Sequence, residues 1–285
     1  MKFDYELIDS GAGARLERFG TKLLVRPSKF SVWQRRRPTI EWQNAHATYE
    51  HKRGWSFSQQ SFEQWDLAGE GASLRLRLQD NGQIGFFPEH AAYLPSLLDV
   101  LTKYSKNLGR APRVLNLFAY TGMATVAALR AGADVTHVDL SKKVLDWARE
   151  NAEANKLNSP RFIREDALTF LDKEVRRGNT YEVVIADPPS FSRVSPKEEW
   201  TLEDVLPNLI SQIAKVASPQ AHAVFLTSHH FESGGHVMAN LLHDAYCASG
   251  SQCRPCLETE ELAIAESGTG RVLPAGFLVK SQVSI

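Results

Sequence analysis

The chain has 285 residues, 33 Lys plus Arg against 33 Asp plus Glu, and is 43% hydrophobic and 23% charged. That composition excludes collagen-like, coiled-coil and disordered classes, and a formal net charge of zero excludes a globally basic nucleic-acid binder while leaving room for a local basic face. No stretch reaches the roughly 18 consecutive apolar residues of a membrane span, and the start lacks a signal-peptide apolar run. With its three cysteines confined to Cys247, Cys253 and Cys256, the chain reads as a soluble, cytoplasmic protein of a reducing compartment; a monomer or homodimer is expected, though no feature of the sequence sets it.

Residues 1–90 mix short alternating runs with turn residues. In Leu74-Arg75-Leu76-Arg77-Leu78 the leucines take one face of a strand and the arginines the other, and Asp80-Asn81-Gly82 then turns the chain. The expectation is a small β-rich domain over 1–90. Residues 1–60 hold eleven Lys/Arg against six Asp/Glu. Within them Arg15, Arg18, Lys22, Arg26, Lys29 and Arg35-Arg36-Arg37 are interleaved with Phe19, Phe30 and Trp33, a mixture able to follow a nucleic-acid backbone and stack bases, or to form a solvated face over buried aromatics.

From about residue 91 to 285 short apolar runs alternate with amphipathic segments, the pattern of βαβ units on a parallel sheet. Five runs recur, at 114–118, 135–139, 161–164, 183–187 and 223–227. The helix after the second is the best marked: Ser141 is a candidate N-cap and Val144, Leu145, Ala148 and Ala152 share a face. A helix near 235–248 follows, then two strand-like runs around Cys256 and Phe277 joined through Ser267-Gly268-Thr269-Gly270, as in an antiparallel hairpin at a sheet edge.

In an open parallel sheet ligands bind beyond the carboxyl ends of the strands. Those positions hold Ala119-Tyr120-Thr121-Gly122-Met123, Asp139, Asp166, Asp187-Pro188-Pro189-Ser190-Phe191 and His229-His230. One glycine stands where a dinucleotide site wants three, which disfavours a diphosphate cofactor. A nucleoside without phosphates fits better, with Gly122 allowing close approach, Asp139 accepting from both ribose hydroxyls and Asp166 receiving an adenine amino group. Asp187 and the carbonyl of Pro188, on a loop stiffened by two prolines, can hold a planar base by its edge while Phe191 stacks on its face. His229 or His230 can remove a proton or simply cap a strand end. Arg193 and Lys197 can meet a substrate phosphate or be ordinary surface charge. Zinc on Cys253, Cys256, Cys247 and His243 is disfavoured, because Cys253 and Cys256, three apart on a strand, point to opposite faces.

Leu115-Asn116-Leu117-Phe118-Ala119-Tyr120-Thr121-Gly122, Val138-Asp139-Leu140-Ser141 with its helix, and Asp187-Pro188-Pro189-Ser190-Phe191-Ser192 together resemble a class I S-adenosylmethionine-dependent methyltransferase, nearest to the bacterial large-subunit ribosomal RNA methyltransferase group. The resemblance implies a Rossmann-like seven-stranded sheet with S-adenosylmethionine as cofactor. Asn116, Ala119 and Gly122 would line its amino-acid moiety, with Tyr120, Thr121, Leu140, Ala167 and Asp187 nearby. Asp139 would meet the ribose and Asp166 the adenine. Gly85-Phe86-Phe87-Pro88-Glu89-His90 stands where relatives place a cofactor-reaching acidic residue, here Glu89. Two departures bear on the acceptor. The covalent cysteine of the cytosine C5 branch is replaced by Thr227-Ser228-His229-His230, and no PUA module precedes the first sheet, which leaves RNA capture to residues 1–90. The implied activity is methyl transfer to a base nitrogen of ribosomal RNA. A small-molecule or protein methyltransferase and a non-catalytic nucleic-acid-binding protein of the same fold are the alternatives.

Overall fold

The computed structural model describes residues 1–195, 198–219, 222–229, 234–248 and 256–283, with 191–195 and 198–200 described by backbone alone. The chain divides into two units: Met1–Ala92 with Ala263–Ala275, and Tyr93–Leu262 with Gly276–Ile285. The sequence reading put the division at residue 90 and did not separate 263–275, the far end of the last hairpin, from the second unit.

The first unit contains β1 (Tyr5–Gly11), β2 (Ala14–Phe19), β3 (Lys22–Pro27), α1 (Thr39–Gln43), β4 (Ala47–Glu50), β5 (Gly54–Phe57), β6 (Gln64–Gly69) and β7 (Ala72–Arg77), then a 3-10 turn at Pro88–Ala92. Strands β1 to β5 form one sheet in sequence order, antiparallel except for the parallel pair β3–β4, and β6–β7 is a separate hairpin. Alternation works as the pattern implies in β7, where Leu74 and Leu76 are fully buried. It fails in β1, where an irregularity between Leu7 and Asp9 shifts the register against β2. An extra residue re-aims every side chain after it, and Asp9 and Ser10 are consequently buried.

The basic run of this unit does not form one face. Arg26 is buried and makes two hydrogen bonds, at 2.8 and 3.0 Å, to Glu17, which also meets Arg15 at 3.1 Å. Burial pushes the Glu17 carboxyl up, but the two guanidiniums outweigh it and hold it below its ordinary value. Arg18 is paired with Asp4 and Glu6. Phe19 is completely buried, while Phe30 and Trp33 pack against the Leu7, Ile264 and Leu273 cluster. Of the two readings of these aromatics, Phe19 follows the buried one, while Phe30 and Trp33 are half-buried.

The second unit contains α2 (Leu94–Leu108), β8 (Arg113–Leu117), α3 (Met123–Arg130), β9 (Asp134–Asp139), α4 (Lys142–Ala154), β10 (Arg161–Arg164), α5 (Ala167–Arg177), β11 (Val183–Ala186), β12 (Phe191–Ser195), β13 (Glu198–Thr201), α6 (Leu202–Val216), β14 (His222–Ser228), α7 (Gly235–Ala248) and most of β15 (Cys256–Ala265) and β16 (Val272–Val283), whose residues 263–265 and 272–275 belong to the first. Seven of these strands make one sheet in the order β10-β9-β8-β11-β14-β16-β15, parallel from β10 to β14, with β16 antiparallel to β14. Strands buried on both faces read as continuous apolar runs, and β11 and β14 are buried at every residue. Leu115, Leu117, Val184, Ala186, Val224 and Leu226 present one face to α5, α6 and α7. The order reverses between β8 and β11, which is where an open α/β sheet leaves a crevice at its carboxyl edge. No helix among the described residues is long and apolar enough to cross a membrane.

Candidate active site

The chain leaves β8 through residues 118–122, and three of these have positive φ: Phe118 (52°), Tyr120 (51°) and Gly122 (87°). Side-chain-bearing residues in that region cost on the order of 1–2 kcal/mol each, so the loop persists only where its surroundings impose it. Its backbone is held by Ala119 N–H donating to Val138 O (3.1 Å), Gly122 N–H to Ala119 O (3.1 Å), Tyr120 N–H to Asp139 Oδ2 (3.0 Å) and the Asn151 amide to Thr121 O (2.8 Å). A Cβ on Gly122 would lie 3.3 Å from the Ala148 Cβ on α4 and 3.6 Å from His137 and Thr125. What that glycine admits is therefore α4 and the layer beneath the loop.

Beneath the loop runs a buried polar relay. The Asn116 amide donates to Thr125 Oγ1 (3.0 Å), and Thr125 Oγ1 lies 2.9 Å from His137 Nδ1. Burial pushes the His137 imidazole down to about 3, with the Tyr120 backbone acting in the opposite sense.

At the end of β9 the Asp139 carboxylate accepts from Tyr120 N–H through Oδ2 and from Ser141 N–H through Oδ1 (2.9 Å). A carboxylate has about four acceptor positions, and these bonds do not fill them. Burial raises its pKa, and the amides of Ser141, Tyr120 and Leu140 pull it back. Leu140 beside it is 38% exposed, an apolar surface at the mouth of the sheet. Ser141 caps α4, as its position predicts, and Leu145, Ala148 and Ala152 are buried. At the next strand end Asp166 is the N-cap of α5, its Oδ1 accepting from Thr169 N–H (2.9 Å), with Ala167 the first helical residue.

Asp187 follows β11. Its Oδ1 accepts from the Thr227 hydroxyl (2.5 Å) and lies 3.4 Å from His229 Nε2. Burial first and the Asp187 charge second raise the Tyr93 phenol well above its ordinary range. Pro188 is buried while Pro189 and Ser190 are exposed, and Ser190 O accepts from Leu202 N–H (3.0 Å), closing the base of the β12–β13 hairpin. A carboxylate at a stiffened corner can accept from an amine or orient a planar base.

Strand order thus brings the 118–122 loop, Asp139, Asp166 and Asp187 to one edge of the sheet. Tyr120, Asp139, Leu140 and Asp166 keep accessible surface there. Asn116, 3% exposed, is less accessible, its side chain being turned under α3 into the relay, and Gly122 packs against Ala148 of α4. Thr121, Ala119 and Ala167 are also buried, leaving chiefly their backbones to offer. Glu89 is buried in the 3-10 turn of the first unit, where its charge acts on Arg15. Sequence reasoning missed Thr227 and the Thr125–His137 pair; Thr227 is one strand over from Asp187, a neighbour only the parallel β11–β14 pairing reveals. The side chains of Phe191 and Arg193, and all of His230, Lys197 and Cys253, lie outside the described residues. Cys247 and Cys256 are exposed, Cys247 Sγ being 3.9 Å from His243 Nδ1.

A reversed-order seven-stranded sheet with an acidic residue at the end of its second strand defines a Rossmann-like methyltransferase fold. The family model for S-adenosylmethionine-dependent methyltransferases matches residues 41–216, and the chain belongs to that family. It is similar to the crystal structure of the SAM-dependent methyltransferase from Agrobacterium tumefaciens, at 34% identity and a TM-score of 0.91 over 99% of this chain and 91% of that one. A Streptococcus mutans protein assigned as a SAM-dependent methyltransferase has the same fold, at 18% identity and a TM-score of 0.72 over 99% of this chain and 75% of that one. Among curated proteins it is 35% identical over 158 residues to ribosomal RNA large subunit methyltransferase K/L of Pseudoalteromonas atlantica, covering 54% of this chain and 21% of that protein. The chain thus spans about a fifth of the length of the curated relatives it matches.

Proposed function

We propose that this S-adenosylmethionine-dependent methyltransferase transfers its methyl group to a base nitrogen of ribosomal RNA, with no covalent cysteine intermediate. The observation that carries the reading is the partly accessible Asp139 carboxylate at the end of β9, oriented by the amides of Tyr120 and Ser141 and not filled by them. A ribose diol supplies donors for such an acceptor. Asp166 Oδ2 and the Ala167 N–H would serve an adenine edge, Leu140 its face, and the backbone of Ala119–Gly122 the amino-acid end.

When bound, the cofactor supplies a methyl group already activated on sulfur. What remains for the chain is alignment of an acceptor lone pair with that carbon, a proximity effect worth about 7–11 kcal/mol. Asp187, fixed by Thr227, and the Pro188 carbonyl would hold the base edge and favour positive charge developing on an exocyclic amine; Phe191 would stack on the base. His229, 3.4 Å from Asp187, would take up the released proton. The names of the matched relatives support ribosomal RNA as the acceptor.

The test is incubation with methyl-labelled cofactor and undermethylated ribosomal RNA, protein or metabolite fractions, followed by nucleoside analysis. Label on a base nitrogen is expected; label confined to protein or metabolites contradicts the RNA reading. Asp187→Ala should retain cofactor binding and lose transfer by about 10²–10³-fold, and full activity would remove Asp187 from the mechanism.

A further inference from the structure

Most arginines of the first unit are neutralised by carboxylates, but one short loop is not. Residues 34–40 are all exposed and contain Arg35-Arg36-Arg37. Arg35 lies over the Trp42 ring (3.9 Å) and spends one donor on Gly11 O (3.5 Å); Arg36 spends one on Thr269 O (3.2 Å). A guanidinium has five donors, so most of both forks face solvent. Arg37 alone is near acids, with Glu41 at 3.8 Å and Glu6 within electrostatic reach.

The backbone of this loop is fixed from below. Asp9, with no accessible surface, accepts from Arg36 N–H (3.0 Å), Arg37 N–H (2.8 Å), Trp42 Nε1 (3.1 Å), Ser10 N–H (3.0 Å) and the Arg271 guanidinium (2.8 Å). Gly11, at φ 155°, lets the loop lie directly on β1: a Cβ there would sit 2.6 Å from Arg35 N. Solubility needs no such anchoring, since a solvated arginine works as well on a mobile loop. A buried carboxylate committed to two consecutive loop amides presents the side chains in a set geometry, and preorganised forks bind phosphates bidentately with less entropy to lose.

We propose that the Arg35–Arg37 loop is a preorganised phosphate-binding surface through which this chain holds its RNA. The inference rests on the RNA reading above and adds to it the chemistry of capture: backbone phosphates, hence affinity without base specificity. RNA is favoured over a membrane because the flanking exposed apolar residues, Val32 and Ile40, lie on a loop and on the five-residue α1 and form no amphipathic face.

The experiment titrates the full chain against fluorescent single-stranded ribosomal RNA fragments and phosphatidylglycerol–phosphatidylcholine vesicles over a range of salt, comparing parent, Arg36→Ala, Arg35→Ala/Arg36→Ala and the corresponding double lysine variant. The expected result is a salt slope lowered by about 0.7 in the single variant and about 1.4 in the double, largely restored by lysine, with S-adenosylmethionine affinity unchanged. Arg36→Ala, which gives up only a carbonyl contact, keeps the test valid should the double variant misfold. If the parent binds and methylates RNA and the variants keep its slope, this inference alone falls. If the parent binds no RNA, both readings fall. Arginine-dependent binding to vesicles but not to RNA overturns the assignment in favour of a membrane.

Discussion

Each unit keeps an aspartate at or near the end of a strand, and the two are satisfied to different degrees. Asp9, late in β1, is inaccessible to solvent and collects five donors on about four acceptor positions. Asp139, at the end of β9, remains partly accessible and takes two amides. Nothing further can bind to the first, whereas burial raises the pKa of the second, the neighbouring amides pull it back, and its acceptor positions are not all filled. Saturation, rather than burial or residue type, separates a carboxylate that builds the fold from one set aside for a ligand. A group kept at some cost to stability is where function is to be sought.

The largest effect should come from Asp9→Ala. Removing it takes the acceptor from the Trp42 indole and from the amides of Arg36 and Arg37 and leaves Arg271 with Glu266 alone, and breaking a buried charge network costs about 3–5 kcal/mol. Urea unfolding of the full chain measures it, and a variant within about 1 kcal/mol of the parent would erase the contrast. Asp139→Asn should behave the opposite way. Because the folded-state pKa of Asp139 is raised, its charge opposes folding at neutral pH, and this opposition fades as pH falls. The variant is expected within about 1 kcal/mol of the parent in stability and about 10–100-fold weaker in cofactor affinity, the loss of charge-assisted hydrogen bonds worth ~1.5–3 kcal/mol. Calorimetric titration with S-adenosylmethionine reads the second number; unchanged affinity would refute the assignment.

A smaller effect concerns the relay under the loop. His137 is neutral in the fold, with its pKa lowered to about 3 from 6.5. Its contribution is complete above pH 6.5 and is lost as pH falls, because the unfolded chain gains a proton that the folded one refuses. One pH unit below 6.5 the loss approaches ~1.4 kcal/mol. His137→Gln should flatten the stability–pH curve between pH 6.5 and 5.5 by up to one proton; an identical slope would mean that His137 titrates freely in the fold.

The second unit was largely legible in the sequence because its strands are buried on both faces and alternate with helices. The run at 114–118 differs from β8 by one residue at each end, the run at 183–187 from β11 by one at its end, and the run at 161–164 is β10. Parallel βαβ order then puts Asp139, Asp166 and Asp187 at carboxyl ends with no further information. What local pattern cannot carry is non-local pairing. The parallel β3–β4 pair joins residues some twenty positions apart, and the register shift in β1 turns Asp9 inward where alternation had no reason to place it. Asn116 and Gly122 show the same limit from the other side. Their motif resembles ligand contacts, but the partners that occupy them, Thr125 and Ala148, come from helices whose packing the motif does not encode. The arginines between residues 15 and 37 looked like one basic face, and only the structure separates those facing Glu17 from those left on the loop.

The most direct test of the central claim is a crystal structure of the full chain with S-adenosylhomocysteine. The account predicts both ribose hydroxyls within hydrogen-bond distance of the Asp139 oxygens, with the adenine over Leu140 and toward Asp166. A nucleoside seated elsewhere, or an Asp139 carboxylate still facing only Tyr120 and Ser141, would contradict it.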